Sequence, residues 1–147
     1  MSEHRWPPPD YPLVEGRSQI TRRWSIELPE PFARRVEEDE LVLWRPGLTF
    51  WLSAWGNDLG QTREARLAAL KQEASPDRHD ESWTDRDGIT RYSYRLLDEI
   101  GDGPVESLHV LIFSDEGHLQ IAAYFDEPGD LEAARAIIAT VEKHDPA

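Results

Sequence analysis

The chain has no cysteine and one methionine in 147 residues. Missing thiols exclude disulfides, thiolate nucleophiles, zinc–thiolate centres and iron–sulfur clusters. They also suit a reducing compartment, where disulfides do not persist. No apolar run approaches the length of a membrane span, and the opening MSEHRWPPPDYP lacks the apolar stretch of a secretory signal. A cytoplasmic location is the expectation. Positive charge is scarce too: 16 Lys and Arg stand against 29 Asp and Glu, a formal charge of −13. Nucleic acid is therefore not an expected partner, because binding phosphates takes a basic surface. The same charge opposes docking on an anionic membrane. It keeps a domain soluble and suits a basic protein partner.

Recognised chemical motifs are absent as well. There is no G-x-S-x-G, no phosphate-binding glycine loop and no dinucleotide fingerprint. Asp85-Arg86-Asp87-Gly88 looks like part of a calcium loop, but Trp83 stands where a ligand is needed and the late Glu is missing. A tight turn explains it better. His4, His79, His109, His118 and His144 show no metal-pair spacing. Neither a metal nor a cofactor is expected, and no catalytic residue is assigned. Asp126, Glu127, Asp130 and Glu132 fit the start of a helix, and Glu37-Glu38-Asp39-Glu40 fits a solvated turn.

What the chain does have is aromatic bulk, with six Trp, four Tyr and four Phe, in a length suited to one domain. Residues 1–23 are expected to form an extended arm, since Pro7, Pro8, Pro9 and Pro12 favour polyproline geometry. The domain is expected over 24–147. Trp24, Ile26 and Leu28 alternate as in a half-buried strand, ended by Pro29 and Pro31. Leu41–Arg45 and Leu48–Trp55 read as strands around the Pro46-Gly47 turn. Thr62–Ala74 reads as a helix capped by Thr62, with a narrow stripe of Leu67, Leu70 and Ala74 that places it on the rim. Asp80–Thr84 and Ile89–Leu97 read as a hairpin around residues 85–88, and Gly101-Asp102-Gly103-Pro104 as the next turn.

The last hairpin and helix carry the strongest pattern. Pairing apolar with apolar selects a three-residue loop, Asp115 to Gly117, with Gly117 left-handed. Phe113 then faces Leu119, and Leu111 faces Ile121. His109 falls on the same face as Leu119, Ile121, Ala123 and Phe125. The C-terminal helix is expected over Asp130–Lys143, burying Leu131, Ala134, Ile138 and Val141. The whole reads as an α+β domain with a largely antiparallel sheet, order βββ-α-ββββ-α, with the C-terminal helix packed on the sheet and an extended Pro-rich N-terminal arm.

Trp24, Ile26, Leu28, Pro29 and Phe32, in WSIELPEPF, together with the final strand–helix unit, resemble the PsbP-like superfamily over about 24–144. That resemblance implies a small α+β fold. Similar folds occur in a nuclear import factor that binds Ran and in small bacterial chaperones of type VI secretion effectors. No functional residue carries over from it.

Large side chains on both faces of Leu48–Trp55 are the remaining signal. Trp51 and Trp55 share one face with Ser53, while Phe50, Leu52 and Ala54 take the other. The first face is either covered by the arm and the rim helix or open for binding. Candidate binding residues are Trp44, Trp51, Trp55, Tyr92, Tyr94, His109 and Tyr124. The function expected is a non-enzymatic protein-binding module: a bacterial secretion-system accessory, chaperone or immunity protein. The alternative is a small-molecule-binding protein or enzyme with an aromatic-lined pocket. Oligomeric state is open, a homodimer included.

Overall fold

Strand-like alternation broken by turn residues builds two antiparallel meanders. The computed structural model describes residues 6–100 and 103–144. The first meander is β1 (Leu13–Gln19), β2 (Trp24–Glu37), β3 (Glu40–Arg45) and β4 (Leu48–Gly56). Helix α1 (Arg63–Glu73) leads to the second, β5 (His79–Arg86), β6 (Ile89–Ile100), β7 (Gly103–Phe113) and β8 (Gly117–Phe125). Helix α2 (Gly129–Ile138) and a short β9 (Glu142–Lys143) complete the chain. The strands lie in the order β1-β2-β3-β4-β8-β7-β6-β5, with β9 beside the start of β2. All pairings are antiparallel, and β4 against β8 joins the two meanders at the centre.

The fold is thus α+β with a largely antiparallel sheet. The element order differs from βββ-α-ββββ-α by two strands. β1 lies within the span expected to be an arm. It is an edge strand with polar side chains on both faces, so periodicity does not reveal it; its ladder with β2 does. β9 is too short to leave a pattern. Pro29 and Pro31 do not end β2. The β1–β2 register shifts between Val14 and Gly16, opposite the prolines, so their missing N–H groups fall where the ladder is already interrupted. β2 then pairs with β3 from Ala33 onward.

The β5–β6 hairpin turns at Asp87-Gly88, both with positive φ (56° and 79°), the geometry that matches strand twist in a two-residue turn. The turn expected at 101–104 lies partly outside the described residues; Gly103 and Pro104 belong to β7. Thr62 caps α1 as expected, its Oγ1 accepting from the Ala65 N–H at 3.0 Å. α2 ends at Ile138, well short of Lys143. Thr140 turns the chain there, donating from Oγ1 to the Ile137 carbonyl at 2.6 Å. Val141 is still buried, but it enters the core from this turn.

The β7–β8 register corrects the expected one. Phe113 pairs with His118, Ile112 with Leu119 and Leu111 with Gln120. The loop is the two-residue Asp115-Glu116, closed by the Ser114 N–H donating to the Gly117 carbonyl at 2.8 Å. Gly117 is not left-handed. It is required because a Cβ there would overlap the backbone carbonyl of Trp55 on β4. The one-residue difference swaps the faces of β7. Leu108, Val110 and Ile112 join Leu119, Ile121 and Ala123. His109 moves to the opposite face, across from Ala122.

That sorting yields two unequal faces. On one, Phe32, Leu43, Phe50, Ile112, Leu119 and Ile121 pack with Ala134, Ile137 and Ile138 of α2 as the main core. The sheet rolls around α2. β1 and β6 would be about 29 Å apart across six flat strand spacings. Yet Arg17 of β1 donates to the Thr140 carbonyl at 2.9 Å, and Arg91 of β6 to the Val141 carbonyl at 2.7 Å. The other face carries a small second cluster of Tyr92, Leu111 and Phe113 under Leu67 and Leu70 of α1.

Candidate functional site

α1 covers only part of the second face, and the rest of that face holds the candidate site. The helix is fastened by arginines. Arg66, its buried residue, donates from Nη1 to the Gly117 carbonyl at 3.1 Å and from Nη2 to the Ser114 carbonyl, with its guanidinium 5.5 Å from the Phe113 ring centre. Arg63 bonds Asp85 at 2.6 Å and Thr90 at 3.0 Å. These ties hold α1 to the β7–β8 turn, β6 and β5, leaving its C-terminal end beside an open stretch of β4, β8 and β7.

There a groove of about 270 Å³ is lined by Trp51, Tyr94, His109 and Gln120 on the sheet, Leu70 on α1 and Ala74 just past its end, and the carboxylates Glu40 and Glu73. Strand register explains the convergence. Trp51 pairs with Ala122, Ala122 with His109, and His109 with Tyr94, so one row crosses four strands. Tyr94 stacks on His109 at 5.0 Å and 10°, and Tyr124 meets His109 edge-on at 6.3 Å. His109 Nε2 lies 3.0 Å from Ser107 Oγ. Burial raises the Tyr94 phenol pKa, so its hydroxyl stays protonated. Glu40 accepts from Ser53 Oγ at 3.1 Å.

Trp51, Tyr94, His109 and Tyr124 are therefore brought together. The other candidates lie apart. Trp44 is next to Trp51 through Arg35, whose guanidinium sits 4.9 Å and 5.5 Å from the two ring centres. The Trp44 ring takes Tyr11 edge-on at 5.2 Å. Tyr92 is buried under α1, its hydroxyl donating to Glu81 and accepting from Arg78. Burial and the Glu81 carboxylate push its pKa to about 12. Trp55 is 56% exposed and stacks on His118 at 6.2 Å, beyond Leu70 in a separate cleft.

Sequence reasoning missed Glu40, Glu73 and Gln120. As the last of four consecutive acidic residues Glu40 reads as turn charge, and its place at the start of β3, where it accepts from Ser53 Oγ, brings it to the groove. Glu73 sits at the end of α1, where its direction depends on how the helix docks. His118, which follows the expected turn, lies in β8 between Trp55 and Phe113. Neither of its ring nitrogens finds a partner among the described residues. Burial, helped by the nearby Arg66 charge, lowers its pKa to about 4, so it is neutral at pH 7. Among the described residues no group of three His, Asp or Glu side chains could hold a metal ion, and no helix is long and apolar enough to cross a membrane.

No known family matches the chain, and neither does any curated protein. A crystal structure at 1.50 Å resolution of a protein from Bacteroides thetaiotaomicron VPI-5482 matches with a TM-score of 0.70 and 15% identity, over 90% of this chain and 50% of that one. The chain thus spans about half the length of that protein. At this identity the likeness shows a shared fold.

Proposed function

We propose that the chain is a protein-binding module that docks a segment of a partner polypeptide in the groove beside α1. The observation carrying this reading is the row of half-buried aromatic side chains, Trp51, Tyr94 and His109, left open beside α1. Aromatic rings give large contact area at low entropic cost, and uncovered clusters of them mark binding sites. The groove volume of about 270 Å³ is below the range of about 300–1,000 Å³ usual for drug-sized ligands and suits one or two side chains. The exposed edge is a weaker candidate. β5 displays Trp83, but its other residues are largely charged and its ladder is bulged between His79 and Ser82, both guards against strand addition. The resemblance to the PsbP-like superfamily agrees with an accessory or chaperone role, and the acidic surface with a basic client or toxin.

Display of random dodecapeptides on the immobilised protein, counter-selected against Trp51→Ala and Tyr94→Ala, tests this reading. Peptides should be enriched that bind wild type and lose at least tenfold affinity for both variants at unchanged melting temperature. Failure to enrich any, or equal binding to the variants, would overturn it. Enrichment only for small-molecule probes would favour the pocket alternative.

A further inference from the structure

The groove is chemically one-sided. Its lining includes two carboxylates, Glu40 and Glu73, and no lysine or arginine. Neither carboxylate has an ion-pair partner among the described residues. Lys71 of α1 is not among the lining residues; it lies over the Tyr92 ring, 4.9 Å from its centre. The end of α1 that reaches the groove, at Leu70, Glu73 and Ala74, is its C-terminus, where unpaired carbonyls carry partial negative charge. The aromatic faces add the negative side of their quadrupoles. At the groove's border the molecule shows what these rings accept: Arg35 lies over both Trp44 and Trp51, held from behind by Glu37 at 2.9 and 3.1 Å.

Carboxylates, helix C-terminus and ring faces favour the same occupant. We propose that the groove takes an arginine side chain carried by the partner polypeptide, its guanidinium lying against the Trp51 ring beside the Tyr94–His109 stack and paired with Glu40 and Glu73. Arginine fits better than lysine because a planar guanidinium stacks on aromatic faces and pairs with carboxylates through two parallel bonds. The negative field of the whole chain, at a formal charge of −13, would speed the approach of such a segment. This inference rests on the reading of the groove as a docking face.

The test uses capped heptapeptides with a single central arginine, or citrulline in its place, and free arginine amide as a third probe. Binding is read from the Trp51 indole N–H resonance in the full chain. The arginine peptide should shift that resonance saturably. It should bind at least tenfold more tightly than the citrulline peptide and lose at least tenfold on Glu40→Gln/Glu73→Gln. It should lose less than threefold on the charge-matched Asp126→Asn/Glu127→Gln at the entry to α2. Equal binding of the citrulline peptide would overturn the cation and leave the docking face standing. Equal loss on both double variants would reduce the effect to bulk charge and overturn the site. Arginine amide binding as tightly as the peptide would replace the polypeptide with a small cation. If no heptapeptide binds, the displayed peptides separate the two failures: selected peptides lacking arginine sink this inference alone, and absence of any selected peptide sinks both.

Discussion

At the scale of single residues, two positions set the molecule's sensitivities. His118 is held neutral between Trp55 and Phe113, with its pKa lowered from 6.5 to about 4 by burial first and by Arg66 second. The unfolded chain takes up this proton at higher pH than the folded one. The stabilisation is therefore complete above about pH 6.5 and is lost as pH falls through about 4. His118→Phe should remove up to about 3 kcal/mol of that acid sensitivity, read as the difference in unfolding free energy between wild type and variant from pH 7 to pH 4. Parallel curves would show that His118 is not buried neutral. Gly117 is the second. Gly117→Ala should cost about 1–3 kcal/mol or more, because a methyl group must displace the Trp55 carbonyl on the neighbouring strand. The sequence shows this glycine and suggests a turn, which is why a left-handed role was expected. A close approach between β8 and β4 depends on two strands 61 residues apart in sequence and leaves no local mark.

At the scale of elements, the helices divide the labour. α2 closes the main core, and Ile138→Ala should leave a cavity costing about 2–5 kcal/mol. Arg135 on its outer side makes an exposed ion pair with Asp80 at 2.6 Å, and Arg135→Ala should cost within about 1 kcal/mol. Denaturant unfolding compares the two, and equal small losses would contradict the packing of α2. α1 depends more on a polar anchor. Arg66→Met keeps much of the volume but takes the Arg66 donor from the Ser114 carbonyl, while the Gly117 carbonyl keeps the Ser114 N–H, and should cost about 1–3 kcal/mol. Amide exchange along α1 should rise, and unchanged exchange would show that Leu67 and Leu70 suffice. The hydrophobic stripe of α2 and the capping Thr62 of α1 were legible because they are local periodicities and caps. Arg66 was not, since a buried arginine looks like any exposed one until its carbonyl partners are placed. The early end of α2 was hidden for a similar reason: Val141 continues the helical spacing although the chain has already turned.

At the scale of the molecule, two meanders meet at β4 and β8, and the sheet rolls around α2, leaving one face for α1 and a groove. The alternation of each strand was readable, and so was the sharing of a face by Trp51 and Trp55. The grouping of Trp51, Tyr94, His109 and Tyr124 was not, because it depends on the register of four strands, and the expected β7–β8 register placed His109 in the core. The central claim is that this groove, rather than the β5 edge bearing Trp83, meets the partner. A photo-crosslinking amino acid placed at Gln120 on the groove floor, and in a second variant at Trp83, tests it in cells that make the protein. The account predicts a discrete polypeptide adduct from position 120, abolished by Tyr94→Ala, and none above background from position 83. An adduct from position 83 with none from 120 would contradict it.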